Sequence, residues 1–329
     1  MRLVKTIFGI LILITVSLCI IYSDEIKLSV IYASNICIKS VIPSLLPISC
    51  LIGILCASGI FTAVPERLNG AFLFFISIIS GYPIGAKTLN TLVLNDQIDK
   101  RNAERILPSL ICGGPAFIIS VVGMSIFQSI NIGIRLYLCI IASNLLIFAI
   151  KGGFGVRFGQ YPKNIKMSQS VIKAVKEATD SVIYVCAFVV LFSAVGELIK
   201  IIMGKNIAKY FIYALEVTSA VFNSKNIYTV CFVISFGGLC VIMQAISVAE
   251  NLKINLIKLI LIRLMSSVLA CTFLKLSFIV YPLTNATITT VKNPPYPNLT
   301  VNEAFLFFFI FSLFVFLISV TKKIGKVHL

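Results

Sequence analysis

Long apolar runs alternate with short polar, mostly basic stretches along this chain. Apolar runs at 7–21, 41–63, 132–150, 181–203, 228–249, 259–281 and 305–320 approach or exceed the roughly 20 residues that cross a bilayer as a helix. A further span is expected over 108–127, broken near its start. Two short apolar runs read as re-entrant: 71–79, about half of a crossing, and 207–222, which contains Leu215-Glu216-Val217-Thr218. The first ends in Ser80-Gly81-Tyr82-Pro83-Ile84-Gly85-Ala86-Lys87, whose glycines and proline stop a helix. Short apolar pieces of this kind enter a membrane and return on the same side. Their irregular backbone is tolerated only inside protein or beside a wet cavity. The pattern therefore predicts an all-α polytopic membrane protein of about eight transmembrane helices plus two re-entrant or broken helices.

Polar segments fix the expected order. Residues 1–40 read as an N-terminal span and an outer loop around Asp24, Glu25 and Lys27. Residues 41–150 form a first repeat, and 151–180 a basic linker carrying Lys151, Arg157, Lys163, Lys166, Lys173 and Lys176. Residues 181–281 form a second repeat, and 282–329 an outer loop and a last span. Each repeat runs span, short re-entrant piece, Gly-broken span, span. The first starts outside and the second inside, which is an inverted repeat, a common plan of secondary transporters. Segment 89–107, with Asp96, Asp99, Lys100, Arg101, Glu104 and Arg105, reads as an amphipathic surface helix.

Composition agrees. The chain is 59% apolar with mean hydropathy +1.04. Its net charge of +16 could suggest nucleic acid. The charges sit between apolar runs, however, where they orient a membrane protein, so no nucleic-acid partner is expected. Placing the basic stretches inside puts both termini in the cytoplasm. Ten cysteines lie mostly within apolar runs without a CxxC pair, and the single histidine is His328. No metal site and no cofactor are expected. With no histidine in a span and no paired carboxylates, no catalytic set appears, and the chain does not read as an enzyme.

Candidate binding residues gather at the breaks. Gly81, Tyr82, Pro83 and Gly85 form the first break, and Lys87 closes it. Free N–H groups at a helix start, with an ammonium nearby, make an anion site; the alternative for Lys87 is a stem lying along the inner interface. Gly113, Gly114 and Pro115 form a second break, with proline placed to begin a helix. In the second half, Glu216, Thr218 and Ser219 lie in the short run. A carboxylate within the membrane is a functional hypothesis by default. Two roles stay open for Glu216, carrying a coupled proton or holding a cation, beside a structural pairing with Lys209. Gly237 and Gln244 mirror the Gly113–Pro115 break. Glu197 and Lys200, three residues apart, read as a plain ion pair. Asn285 and Asn298 match a glycosylation pattern without meaning in a bacterial protein.

These motifs resemble a known family. SGYPIGAK, the stretch Ala103-Glu104-Arg105-Ile106-Leu107, and Gly113-Gly114-Pro115-Ala116-Phe117 followed by Val122-Gly123 are similar to motifs of the YlbJ (SpoVV) family of sporulation integral membrane proteins. So are Leu215-Glu216-Val217-Thr218 and Ser235-Phe236-Gly237-Gly238-Leu239 with Gln244. The likeness covers roughly 43–263. It implies a place in the nucleoside-recognition "Gate" group. It also implies transport of dipicolinic acid from the mother cell across the outer forespore membrane of an endospore former. The expected partners are then a small anionic substrate and the lipid bilayer. Homo-oligomerisation and the coupling ion are left open. Tyr82 would stack on an aromatic substrate. The alternatives are a nucleoside-type transporter and a non-transporting membrane scaffold that would use the basic segment 151–176.

Overall fold

A computed structural model describes residues 2–57, 61, 64–159, 167–222, 224 and 226–281. The expected last span, 305–320, and the outer loop from 282 on lie outside the described residues. All regular structure among the described residues is helical. Helix α1 spans Arg2–Ile21 and α2 Ser23–Ile36. A π-type turn, Cys37–Val41, leads without interruption into α3, Ile42–Ala57. The expected outer loop at Asp24 and Glu25 is instead the first turn of α2, where two carboxylates suit the positive end of the helix.

The first broken pair follows. Helix α4 spans Asn69–Ser80 and α5 Ile84–Leu94, with the break at Gly81–Pro83. Helix α6 spans Lys100–Leu110 and the π-type α7 Ala116–Ile126, with the break at Ile111–Pro115. Helix α8, Ile130–Ile150, completes this half. The single amphipathic surface helix expected over 89–107 is thus two helices. The final turns of α6, from Ile106 to Leu110, are buried, so its charged first turns lead into the core.

The second half opens with α9, Met167–Leu215, bent at Gly204, whose φ of 74° and ψ of 155° leave the helical region. Part of the expected linker 151–180 is therefore already helix from Met167. After Glu216 come α10, Val217–Phe222, and α11, Ile227–Phe236. Helices α12, Gly238–Val248, and α13, Leu256–Val280, follow. The interruption expected at 235–238 is Gly237, held left-handed at φ 88° as the end of α11.

Helix starts have local causes. Asp99 accepts from the Asn102 N–H at 3.2 Å, Ser129 from Ile132 at 3.4 Å, and Asn255 from Lys258 at 3.0 Å. Asn226 accepts from both Tyr228 and Thr229, at 2.9 and 3.2 Å. Each satisfies donors that a helix start leaves open.

Four helices among the described residues are long and apolar enough to cross a membrane: 130–150, 171–215, 227–248 and 256–280. The pair 9–21 and 23–39, bent by 94°, adds a fifth if it is one span. The protein is an integral membrane protein with a broken-helix core. One large apolar core joins α4–α8 to α11–α13, with Leu73, Leu89, Ile106, Ile118, Leu136 and Ile234 fully buried. A smaller core joins α2 to α9 through Ala33, Cys37, Val185 and Val189.

Candidate functional site

In each half two breaks lie against one another. A Cβ on Gly81 would stand 2.7 Å from the Gly114 nitrogen, and Gly81 has φ 75°. Only glycine serves both demands. In the second half a Cβ on Gly238 would stand 2.9 Å from the Leu215 carbonyl oxygen. The α4/α5 break thus crosses the α6/α7 break, and the α9/α10 break crosses the α11/α12 break.

Between the two crossings lies a cavity of about 440 Å³. Tyr82, Gly114 and Pro115 line it from the first half, and Glu216, Thr218 and Gln244 from the second. Helix α7 starts at its wall, which brings the positive end of a helix dipole to the cavity. The rest of the wall is largely apolar, drawn from α2, α3, α4, α7 and α9. The Tyr82 hydroxyl is buried and has no hydrogen-bond partner among the described residues. An unmet buried hydroxyl costs about 1–3 kcal/mol, and here it belongs to a residue of the cavity wall.

Glu216 is 3% exposed. It stands between α9 and α10, and its Oε1 accepts the Thr218 N–H at 2.7 Å. It therefore caps the short helix as Asp99 and Asn226 cap theirs. It lines a second cavity as well, of about 320 Å³, together with Ser29, Tyr32, Ser193 and Lys200. Glu216 and Phe222 are common to both cavity walls. At the edge of that second cavity Lys200 donates to Glu197 at 2.7 Å, the ion pair expected from the sequence.

Other predicted residues support the site from outside the cavity. Pro83, joined to Tyr82 by a cis peptide, precedes α5. A Cβ on Gly85 would meet the Leu110 oxygen at 2.7 Å, so this glycine seats α5 on the end of α6. Gly113 packs against Ile118 and Ile234. Gly237 forms the turn between α11 and α12 without lining the cavity. Ser219 lies in α10, and its side chain is outside the description. Gln244 lines the cavity, and its Nε2 donates to the Cys240 Sγ at 3.2 Å. Lys87 is not in the wall: the charges that act on it belong to Glu177 and Asp180 of α9.

Two cations matter that the motifs did not mark. Arg263 of α13 is fully buried. Its guanidinium donates to Asn144 Oδ1 at 2.8 Å, to the Pro108 oxygen at 3.2 Å, to the Phe236 oxygen at 3.3 Å and to the Ser235 oxygen. It thereby satisfies carbonyls near the ends of both α6 and α11, the first limbs of two broken helices. Its signal in the sequence was a charge within an apolar run, which it shares with Lys275. The second is Lys39, in the π-type turn, which lines the cavity.

One comparison with known proteins is informative. The chain is 24% identical to the sporulation integral membrane protein YlbJ of Bacillus subtilis (strain 168), in an alignment of 207 residues. It is a distant relative of that protein. The match covers 52% of this chain, which spans about half the length (51%) of the curated relative. No family model matches the chain, and no solved structure matches it at a significant level.

Proposed function

We propose that this protein carries a small organic anion across a membrane during sporulation, binding it in the cavity between the crossed helix breaks. The observation that carries the reading is the joint wall. Tyr82, Gly114 and Pro115 meet Glu216, Thr218 and Gln244 around one space. Discontinuous helices from two halves, converging on a largely apolar cavity with a few polar groups in its wall, suit alternating access by motion of one half against the other. At about 440 Å³ the space lies in the range of small-molecule sites. Its apolar walls, the tyrosine and the start of α7 suit a planar aromatic acid. Dipicolinic acid is the substrate we favour, on the relationship to a sporulation membrane protein. In this reading the two crossings are an inverted repeat, the termini are cytoplasmic, and the protein works in the outer forespore membrane. Catalysis plays no part, and no metal or cofactor is required.

Purified protein in liposomes tests this. Labelled dipicolinate should enter saturably in protein-containing vesicles and not in empty ones. Uptake equal to that of empty vesicles overturns the substrate assignment. In the producing cell, deletion should leave dipicolinate in the mother cell and deplete it from spores. Normal spore content after deletion would favour a scaffold.

A further inference from the structure

Helices α2 and α3, joined through Cys37–Val41, run antiparallel to the first limb of α9. Ser29 Oγ lies 2.9 Å from Ser193 Oγ, and Cys37 Sγ lies 3.9 Å from the Cys186 oxygen. A Cβ on Gly53 would stand 3.1 Å from the Ala174 Cβ. Residue numbers fall along α9 as they rise along α2 and α3, so Lys39 is level with the residues just before Val185. Lys39 is the one lysine or arginine among the described residues of the cavity wall.

We infer that Lys39 is the charge-selecting residue of the cavity, holding the carboxylate of an anionic substrate. The inference rests on the transport reading above and assigns the anion's counter-charge to α2–α3 in place of Lys87. Three observations converge. Lys39 shares the cavity wall with the start of α7, at Pro115 and Ala116, which contributes a second positive element. Tyr82, in the same wall, offers its ring to an aromatic substrate. The wall's carboxylate, Glu216, already accepts the Thr218 N–H, which draws its negative end toward the backbone of α10. A carboxylate ligand would then meet an ammonium beside the positive end of α7.

The test reads the charge of the cavity without needing the substrate. In a cysteine-free version of the full chain, Ser120→Cys places one thiol in the wall. Its reaction rates with an anionic and a cationic water-soluble methanethiosulfonate are compared with Lys39 present and with Lys39→Gln. The ratio of anionic to cationic rate should fall about tenfold in K39Q, the effect of one nearby unit charge at about 1.4 kcal/mol, and recover in K39R. An unchanged ratio overturns the inference, and so does a thiol that neither reagent reaches. In parallel, wild-type protein and both variants, with native cysteines, are assayed for uptake of dipicolinate and its neutral diamide. K39Q should lose dipicolinate uptake while K39R retains it. Equal dipicolinate uptake by K39Q and wild type also overturns the inference. If wild type moves no dipicolinate but the reagent ratio responds, the substrate reading fails and the role of Lys39 stands.

Discussion

Gly81 and Gly114 touch backbone to backbone: a Cβ on Gly81 would come within 2.7 Å of the Gly114 nitrogen. That contact holds the first two helix breaks together and sets one wall of the cavity. Gly81→Ala adds the Cβ and also opposes the left-handed φ of 75°. Strain of this kind costs roughly 1–3 kcal/mol, so the variant should melt at lower temperature and bind substrate poorly. Gly155→Ala is the control, since a Cβ there meets nothing within 4 Å. Thermal unfolding of the purified variants, followed by loss of the monodisperse peak, reads the difference.

Arg263 secures the matching ends of α6 and α11. Arg263→Met removes the donor to carbonyls of Pro108, Ser235 and Phe236, all in the buried interior. Each orphaned acceptor costs about 1–3 kcal/mol, so little folded protein is expected in membranes. Arg263→Lys keeps a charge but not the planar fork, and should restore only part of the yield. Fluorescence-detected size-exclusion profiles of tagged variants check both. A wild-type profile for R263M would remove the guanidinium from this structural role.

Glu216 acts through charge and as a cap, and the two can be separated. Glu216→Gln retains an oxygen able to accept the Thr218 N–H while losing the negative charge. Stability should remain near wild type while substrate handling changes by about tenfold, equivalent to about 1.4 kcal/mol. Glu216→Leu removes both roles and should lower stability as well. Melting temperature and uptake rate, measured on the same preparations, distinguish them.

Lys87 interacts with Glu177 and Asp180 and lies outside the cavity wall. Lys87→Gln should therefore leave the affinity for dipicolinate within about twofold of wild type, as expected for a change away from a binding site. Equilibrium binding of the labelled compound checks this. A large loss of affinity would return Lys87 to the site.

The sequence made some of this legible and hid the rest for physical reasons. Breaks at Gly81–Pro83, Gly113–Pro115 and Gly237 were visible because glycine and proline interrupt apolar runs wherever they pack. The Glu197–Lys200 pair was visible because helical spacing alone brings such residues together. Membership of the cavity wall was harder. Lys87 follows a conspicuous motif, but helix α5 turns it toward α9, and spacing does not reveal that direction. Lys39 lies in a segment that the charge pattern assigns to an outer loop. Only the packing of α2 and α3 on α9, through Ser29–Ser193 and Cys37–Cys186, brings it into the cavity wall. The charged stretch 95–105 looked like a surface helix because its polar half is local, whereas burial of Ile106–Leu110 depends on α8 and α13. Arg263 has no motif, and its meaning comes from carbonyls far away in sequence.

The claim that both halves build one transport cavity is tested most directly by filling that cavity from either side. Ser120→Phe adds bulk from α7, and Gln244→Phe adds it from α12. Labelled dipicolinate uptake is then measured in liposomes holding equal amounts of folded wild-type, S120F and Q244F protein. The account predicts saturable uptake by wild type and near-complete loss in both variants. Uptake that survives both substitutions, or wild-type vesicles no faster than empty ones, would contradict it.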